Sequence, residues 1–130
     1  MTPLRWNTTA STVAGQLFMT NATPYYLNYP IGIYIDSSNS LYVSDCNNNR
    51  VQQFLFGNTF ANTLAGQSNG SGGTTVNRLS TPTDVVVDLN GNVYVADMNN
   101  HRIQLWLVNA TSGITIAGNG KKSNKNHILY

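Results

Sequence analysis

The sequence predicts an all-β protein built from four-stranded antiparallel meanders, and three observations carry that expectation. First, the stretch DCNNNRVQQFLF, Asp45 to Phe56, returns as DMNNHRIQLWLV, Asp97 to Val108. Second, the spacing is constant: Pro30 to Pro82, Asp36 to Asp88, Asp45 to Asp97 and Arg50 to Arg102 are each 52 residues apart. Third, no segment sustains a helical period, whereas short runs rich in β-branched and aromatic residues alternate with turn residues. A four-stranded meander repeated in sequence is the blade of a β-propeller, so about two to three blades of an incomplete propeller are expected.

Each unit divides into four strands. IGIYID (Ile31–Asp36) matches TDVVVD (Thr83–Asp88), and a turn follows, SSNS in one copy and LNGN in the other. Asn90-Gly91 is a strong tight-turn signal between strands. LYVSD (Leu41–Asp45) and VYVAD (Val93–Asp97) have the composition that strands prefer. The polar turns CNNN and MNNH come next, and RVQQFLF and RIQLWLV begin with half-buried alternation. A fourth short strand ends in Ala-Gly, as STVAG, NTLAG and ITIAG, closing at Gly15, Gly66 and Gly118.

The expected organisation is the end of a blade at 1–15, repeats at 30–66 and 82–118, long loops at 16–29 and 67–81, and a basic tail at 119–130. LRWNTTASTVAG aligns with the end of a blade, so the chain reads as a slice of a longer propeller. Self-association to close the ring is the competing expectation, because unpaired strand edges seek partners. The Gly- and Ser-rich loop GQSNGSGGTTVNRLSTP (Gly66–Pro82) reads as flexible.

Charged residues make up 9% of the chain, against a usual figure of about 25%. The polar surface therefore falls to Asn, Ser, Thr and Gly, and Glu is absent. The net charge of +2 is partly a tail of Lys121, Lys122 and Lys125, which argues against a nucleic-acid partner, since such partners usually meet a clustered basic face. No apolar run approaches a membrane span, and the N-terminus lacks the apolar segment of a signal peptide. Glycosylation sequons at Asn7, Asn21, Asn69 and Asn109 point to a secreted, extracellular parent.

At Pro82–Gln104 the residues P-x-x-V-x-V-D-x-N-G-N-V-Y-V-A-D-x-N-N-H-R-I-Q closely resemble an NHL repeat. Pro30–Gln52 matches less fully: the Asn-Gly turn is lost and Asn49 stands for His101. The resemblance implies propellers, commonly six-bladed, whose repeats run a little over 40 residues. The excess here lies in the connection between the Ala-Gly strand and the next Pro.

Repetition points to a structural role for the recurring charges, because a catalytic site appears once and a scaffold device in every blade. Asp45 and Asp97 read as Asx-turn carboxylates. Arg50 and Arg102 should reach a carboxylate by a bidentate pair, with Asp36 and Asp88 as the candidate partners. His101 and His127 are the only histidines, too few for a zinc site of three or four ligands, so no metal and no cofactor are expected. Cys46, the single cysteine, reads as a small buried turn residue, or as the partner of a cysteine elsewhere. Gly70–Gly73 lacks a P-loop lysine and reads as linker. Tyr42 and Tyr94 hold equivalent strand positions and read as core.

Tyr25, Tyr26 and Tyr29, in the loop TPYYLNYP, are the best binding candidates, because loops held by a rigid scaffold carry function more often than strands. The expected function is a non-catalytic interaction scaffold that binds a protein, peptide or glycan through its loops. The resemblance leaves two alternatives: a piece of a propeller enzyme of the metal-dependent lyase or esterase type, or an RNA-binding propeller.

Overall fold

The computed structural model describes residues 9–16 and 22–121. Among these residues eight strands form two sheets of four, each antiparallel and in sequential order. The first holds β1 (Pro30–Ile35), β2 (Leu41–Asp45), β3 (Arg50–Phe54) and β4 (Ala61–Gly66). The second holds β5 (Pro82–Val87), β6 (Val93–Asp97), β7 (Arg102–Trp106) and β8 (Ile114–Gly118). The molecule is all-β, and the sheets are consistent with blades of an incomplete propeller.

The turns explain why the chain reverses where it does. After β1, Asp36 Oδ1 accepts the backbone N–H groups of Ser38 and Ser40, both at 2.9 Å. After β5, Asp88 Oδ1 does the same for Asn90 and Asn92, with Gly91 at φ 82°. Between the middle strands of each sheet lies one 3-10 turn, Cys46–Asn48 or Met98–Asn100. Each is stopped by a left-handed residue, Asn49 or His101, and Asn is among the side chains that tolerate this region best.

The sheets pack face to face. Successive strand residues point to opposite faces, so each sheet has two surfaces. One surface of the first sheet carries Tyr34, Tyr42, Val51 and Leu64, which pack with Val85, Val87, Val93, Val95 and Trp106 of the second. The loop residue Leu79 is fully buried in the same cluster. Gly32 makes the closest approach possible: a Cβ there would stand 2.6 Å from Asp84 Cα. The opposite surface of the first sheet leaves Ile31, Ile33 and Ile35 exposed.

Two sequence expectations change. Residues 9–16, expected to include a strand ending in Ala-Gly, form none. A strand needs a ladder neighbour to satisfy its backbone, and neither sheet takes this segment as one. The 67–81 connection, expected to be flexible, is tied by hydrogen bonds along its length. Gly70 N–H reaches Gln67 O, Gly73 N–H reaches Leu79 O, and Arg78 N–H reaches Thr75 O.

Candidate functional site: a clamp beneath an aromatic loop

Asp45 and Arg50 stand directly opposite each other on β2 and β3, as do Asp97 and Arg102 on β6 and β7. Arg50 Nε donates to Asp45 Oδ2 at 2.7 Å, and Arg102 Nε donates to Asp97 Oδ2 at 2.8 Å. All four side chains are buried or nearly so. Asn48 and Asn100 donate to the same carboxylates, at 3.0 and 2.8 Å.

The guanidinium groups spend their remaining donors on loop carbonyls. Arg50 Nη1 donates to Ala22 O and Ser68 O, and Nη2 to Thr23 O and Tyr26 O. Arg102 donates to Thr74 O, Thr75 O and Arg78 O, each 52 residues beyond its counterpart. The other carboxylate oxygen closes the cage: Asp45 Oδ1 accepts Asn28 N–H at 2.7 Å, and Asp97 Oδ1 accepts Ser80 N–H at 2.6 Å. The repeated motif is therefore a clamp that fixes the loop entering its own sheet. Carbonyls of an irregular loop have no ladder partner, and the planar five-donor guanidinium serves several of them from one side chain.

This corrects the expected partners. Asp36 and Asp88 do not meet the arginines; they are the Asx-turn carboxylates, a role expected for Asp45 and Asp97. Asp36 Oδ2 accepts from the Tyr42 hydroxyl at 3.0 Å, and Asp88 Oδ2 from Asn92 Nδ2 at 2.9 Å. Burial alone would raise the Asp36 pKa, but bonds from Ser40, Tyr42 and Ser38 outweigh it and hold it below the ordinary 3.8. Asp88 is held below 3.8 chiefly by the Asn92 side chain and backbone. Tyr42, buried and facing Asp36, has its phenol pushed above 10.0.

Of the candidate aromatic contacts, Tyr25 is 44% and Tyr29 68% exposed, while Tyr26 is half-buried. Their loop is pinned at four points by its carbonyls: Ala22, Thr23 and Tyr26 by Arg50, and Pro24 by the N–H of Ala61. Tyr29 and Thr81, each preceding the strand-opening proline, both sit at φ 55°. That region is rare for such residues.

Cys46 is buried, and burial together with the Asp45 charge raises its thiol pKa. Its counterpart Met98 is 47% exposed. Asn69 and Asn109 are exposed; Asn69 Oδ1 accepts the Ser71 N–H, and Asn109 sits at φ 61°. Asn7, Asn21 and His127 lie outside the described residues. His101 is exposed, and among the described residues no group of three or more His, Cys, Asp or Glu could hold a metal. Among the described residues no helix is long and apolar enough to cross a membrane.

The sequence reading missed two features. One is the set of loop carbonyls, which carries no side-chain signature. The other is Asn49, whose Oδ1 accepts Thr81 N–H across the sheets at 3.0 Å. A signal did exist for the buried loop leucine, because Leu27 and Leu79 keep the common spacing.

The NHL repeat family model matches residues 27–54 and 79–105. The chain carries two NHL repeats. Each NHL match begins at that leucine and runs through the clamp into the third strand. NHL repeats suggest a β-propeller, commonly a protein-interaction scaffold. No curated protein matches the chain.

Proposed function

We propose that this NHL-repeat protein is a non-catalytic binding scaffold whose 22–29 loop presents Tyr25 and Tyr29 to a protein, peptide or glycan. The observation that carries this reading is the Arg50 clamp. The Arg50 side chain is 1% exposed, yet it donates to three carbonyls of that loop and to Ser68 O. A loop held this way gives up little conformational entropy when a ligand binds, so more of the contact energy appears as affinity. Tyrosine suits such a surface, because it offers a large amphipathic area with only two rotatable side-chain bonds.

The test is selection from a random peptide library displayed on phage, with a glycan array alongside, read against the Tyr25→Ala/Tyr29→Ala double variant. The expected result is enriched ligands that lose most of their affinity for the variant while its circular dichroism is unchanged. Ligands that bind both proteins equally, or no enrichment on either platform, overturn the reading.

A further inference from the structure

The interface between the two sheets is a template for what their open faces can bind. It has three parts. The aromatic face of β1 and β2 covers Val85, Val87, Val93 and Val95. Leu79 is buried in a cluster that includes Val51 and Ala65. Asn49 Oδ1 accepts the N–H of Thr81.

Moving along the chain by one repeat finds the same parts with no sheet over them, although Ala14 and Leu27 already pack against the buried Val43 and Phe54. The second sheet has a cavity of about 340 Å³ whose walls include Ala96, Met98, His101, Ile103 and Ala117. These are the counterparts of Ser44, Cys46, Asn49, Val51 and Ala65, the region where Leu79 is buried on the first sheet. His101 has the same left-handed backbone as Asn49. Its Nδ1 stands as many bonds from the main chain as Asn49 Oδ1 does, and in the neutral ring it can accept a hydrogen bond.

The first sheet supplies the matching half. Ile33, Ile35, Leu41, Val43 and Phe54 line an apolar groove of about 780 Å³. They are the counterparts of Val85, Val87, Val93, Val95 and Trp106, which the first sheet covers. Leu27, beside this groove, is the counterpart of Leu79, and Tyr29 is the counterpart of Thr81.

We propose that the open face of the second sheet binds the open face of the first sheet of a second copy, head to tail. Leu27 of that copy enters the cavity beside His101, and His101 Nδ1 accepts the N–H of its Tyr29. Two adjustments accompany the contact. Asp84 has a Cβ where Gly32 has none, so β5 of one copy and β1 of the next stand further apart than β1 and β5 within one chain. Residues 12–14 line the same groove, and Ala14 is the counterpart of Ala65 at the edge of the first sheet, so they move aside for β8 of the incoming copy. Because the contact is heterologous, each copy keeps one face of each kind, and association continues until a ring closes.

Sedimentation velocity over a concentration series of the full chain tests this. It is read without any ligand, so its failure is separate from that of the tyrosine-loop reading. The expected result is an oligomer that Ile33→Asp or Ile103→Asp each reduces to monomer with β-rich circular dichroism retained. Ile33 is 64% exposed and Ile103 half-buried, so both variants are compatible with folding. Mixing the two variants leaves one intact face of each kind, and a dimer of one molecule of each should return. His101→Ala should weaken wild-type association by roughly tenfold or less, the worth of one hydrogen bond. A wild-type chain that stays monomeric, an oligomer indifferent to both aspartates, or a mixture that stays monomeric overturns the proposal. An unchanged affinity in His101→Ala overturns the hydrogen bond.

Discussion

Arg50 and Asp45 form an ion pair at 2.7 Å with side chains 1% and 0% exposed, and the arginine spends its other donors on the carbonyls of a loop more than twenty residues upstream. The pair therefore belongs to the loop as much as to the hairpin that carries it. Removing the guanidinium would leave the buried Asp45 carboxylate without its counter-ion and the half-buried loop carbonyls without this donor.

Arg50→Ala should cost about 3–5 kcal/mol in urea unfolding, the range for breaking a buried pair from one side. Arg50→Lys should recover only part of this, because a single ammonium cannot reproduce the planar fork. In both variants hydrogen exchange should rise at residues 22–29. Unchanged exchange in that segment would show that the clamp does not order the loop.

Gly32 faces the backbone of Asp84 so closely that a Cβ would lie 2.6 Å from Asp84 Cα. Gly32→Ala should therefore push β1 and β5 apart and cost about 1–3 kcal/mol, as overpacking does. The measurement is the urea midpoint. A midpoint equal to wild type would mean the sheets separate at no cost.

Leu79 is fully buried although it lies in a long connection. Leu79→Ala should cost about 2–5 kcal/mol, a core-sized loss from a loop position. An effect of a few tenths, typical of surface sites, would remove the argument that this leucine fastens the two sheets together.

Asp36 and Asp88 both have folded pKa values below 3.8. A depressed carboxylate means that the folded chain binds fewer protons than the unfolded chain in that window. The stability it contributes is then present above pH 3.8 and is lost as pH falls through the folded value. Thermal melts followed from neutral pH downward should show the midpoint falling in this range. The Asp36→Asn/Asp88→Asn variant should fall less steeply; parallel curves would place the acid sensitivity elsewhere.

Much of the fold was legible because strand signals are local. The spacing of Asp36, Asp45 and Arg50 against Asp88, Asp97 and Arg102 locates the first two hairpin turns of each repeat. Sequence alone makes Asp45 a turn carboxylate and Asp36 an arginine partner, because both carry the same group near a turn. Their roles divide by register: Asp45 faces Arg50 across the ladder, while Asp36 lies beyond the last β1 residue, within reach of its own turn. The clamp's acceptors could not be read at all, since a backbone carbonyl looks alike at every residue.

The sequence by itself determined that the chain is all-β, that it repeats every 52 residues, and that each strand offers one residue set to either face. The tertiary structure alone decided which face is covered. On β1, Tyr34 packs against the second sheet while Ile33 and Ile35 remain exposed, although both faces are apolar. Periodicity separates two faces of a strand, but burial depends on the neighbouring sheet. That neighbour is set by loop clamps and close approaches between residues far apart in the chain.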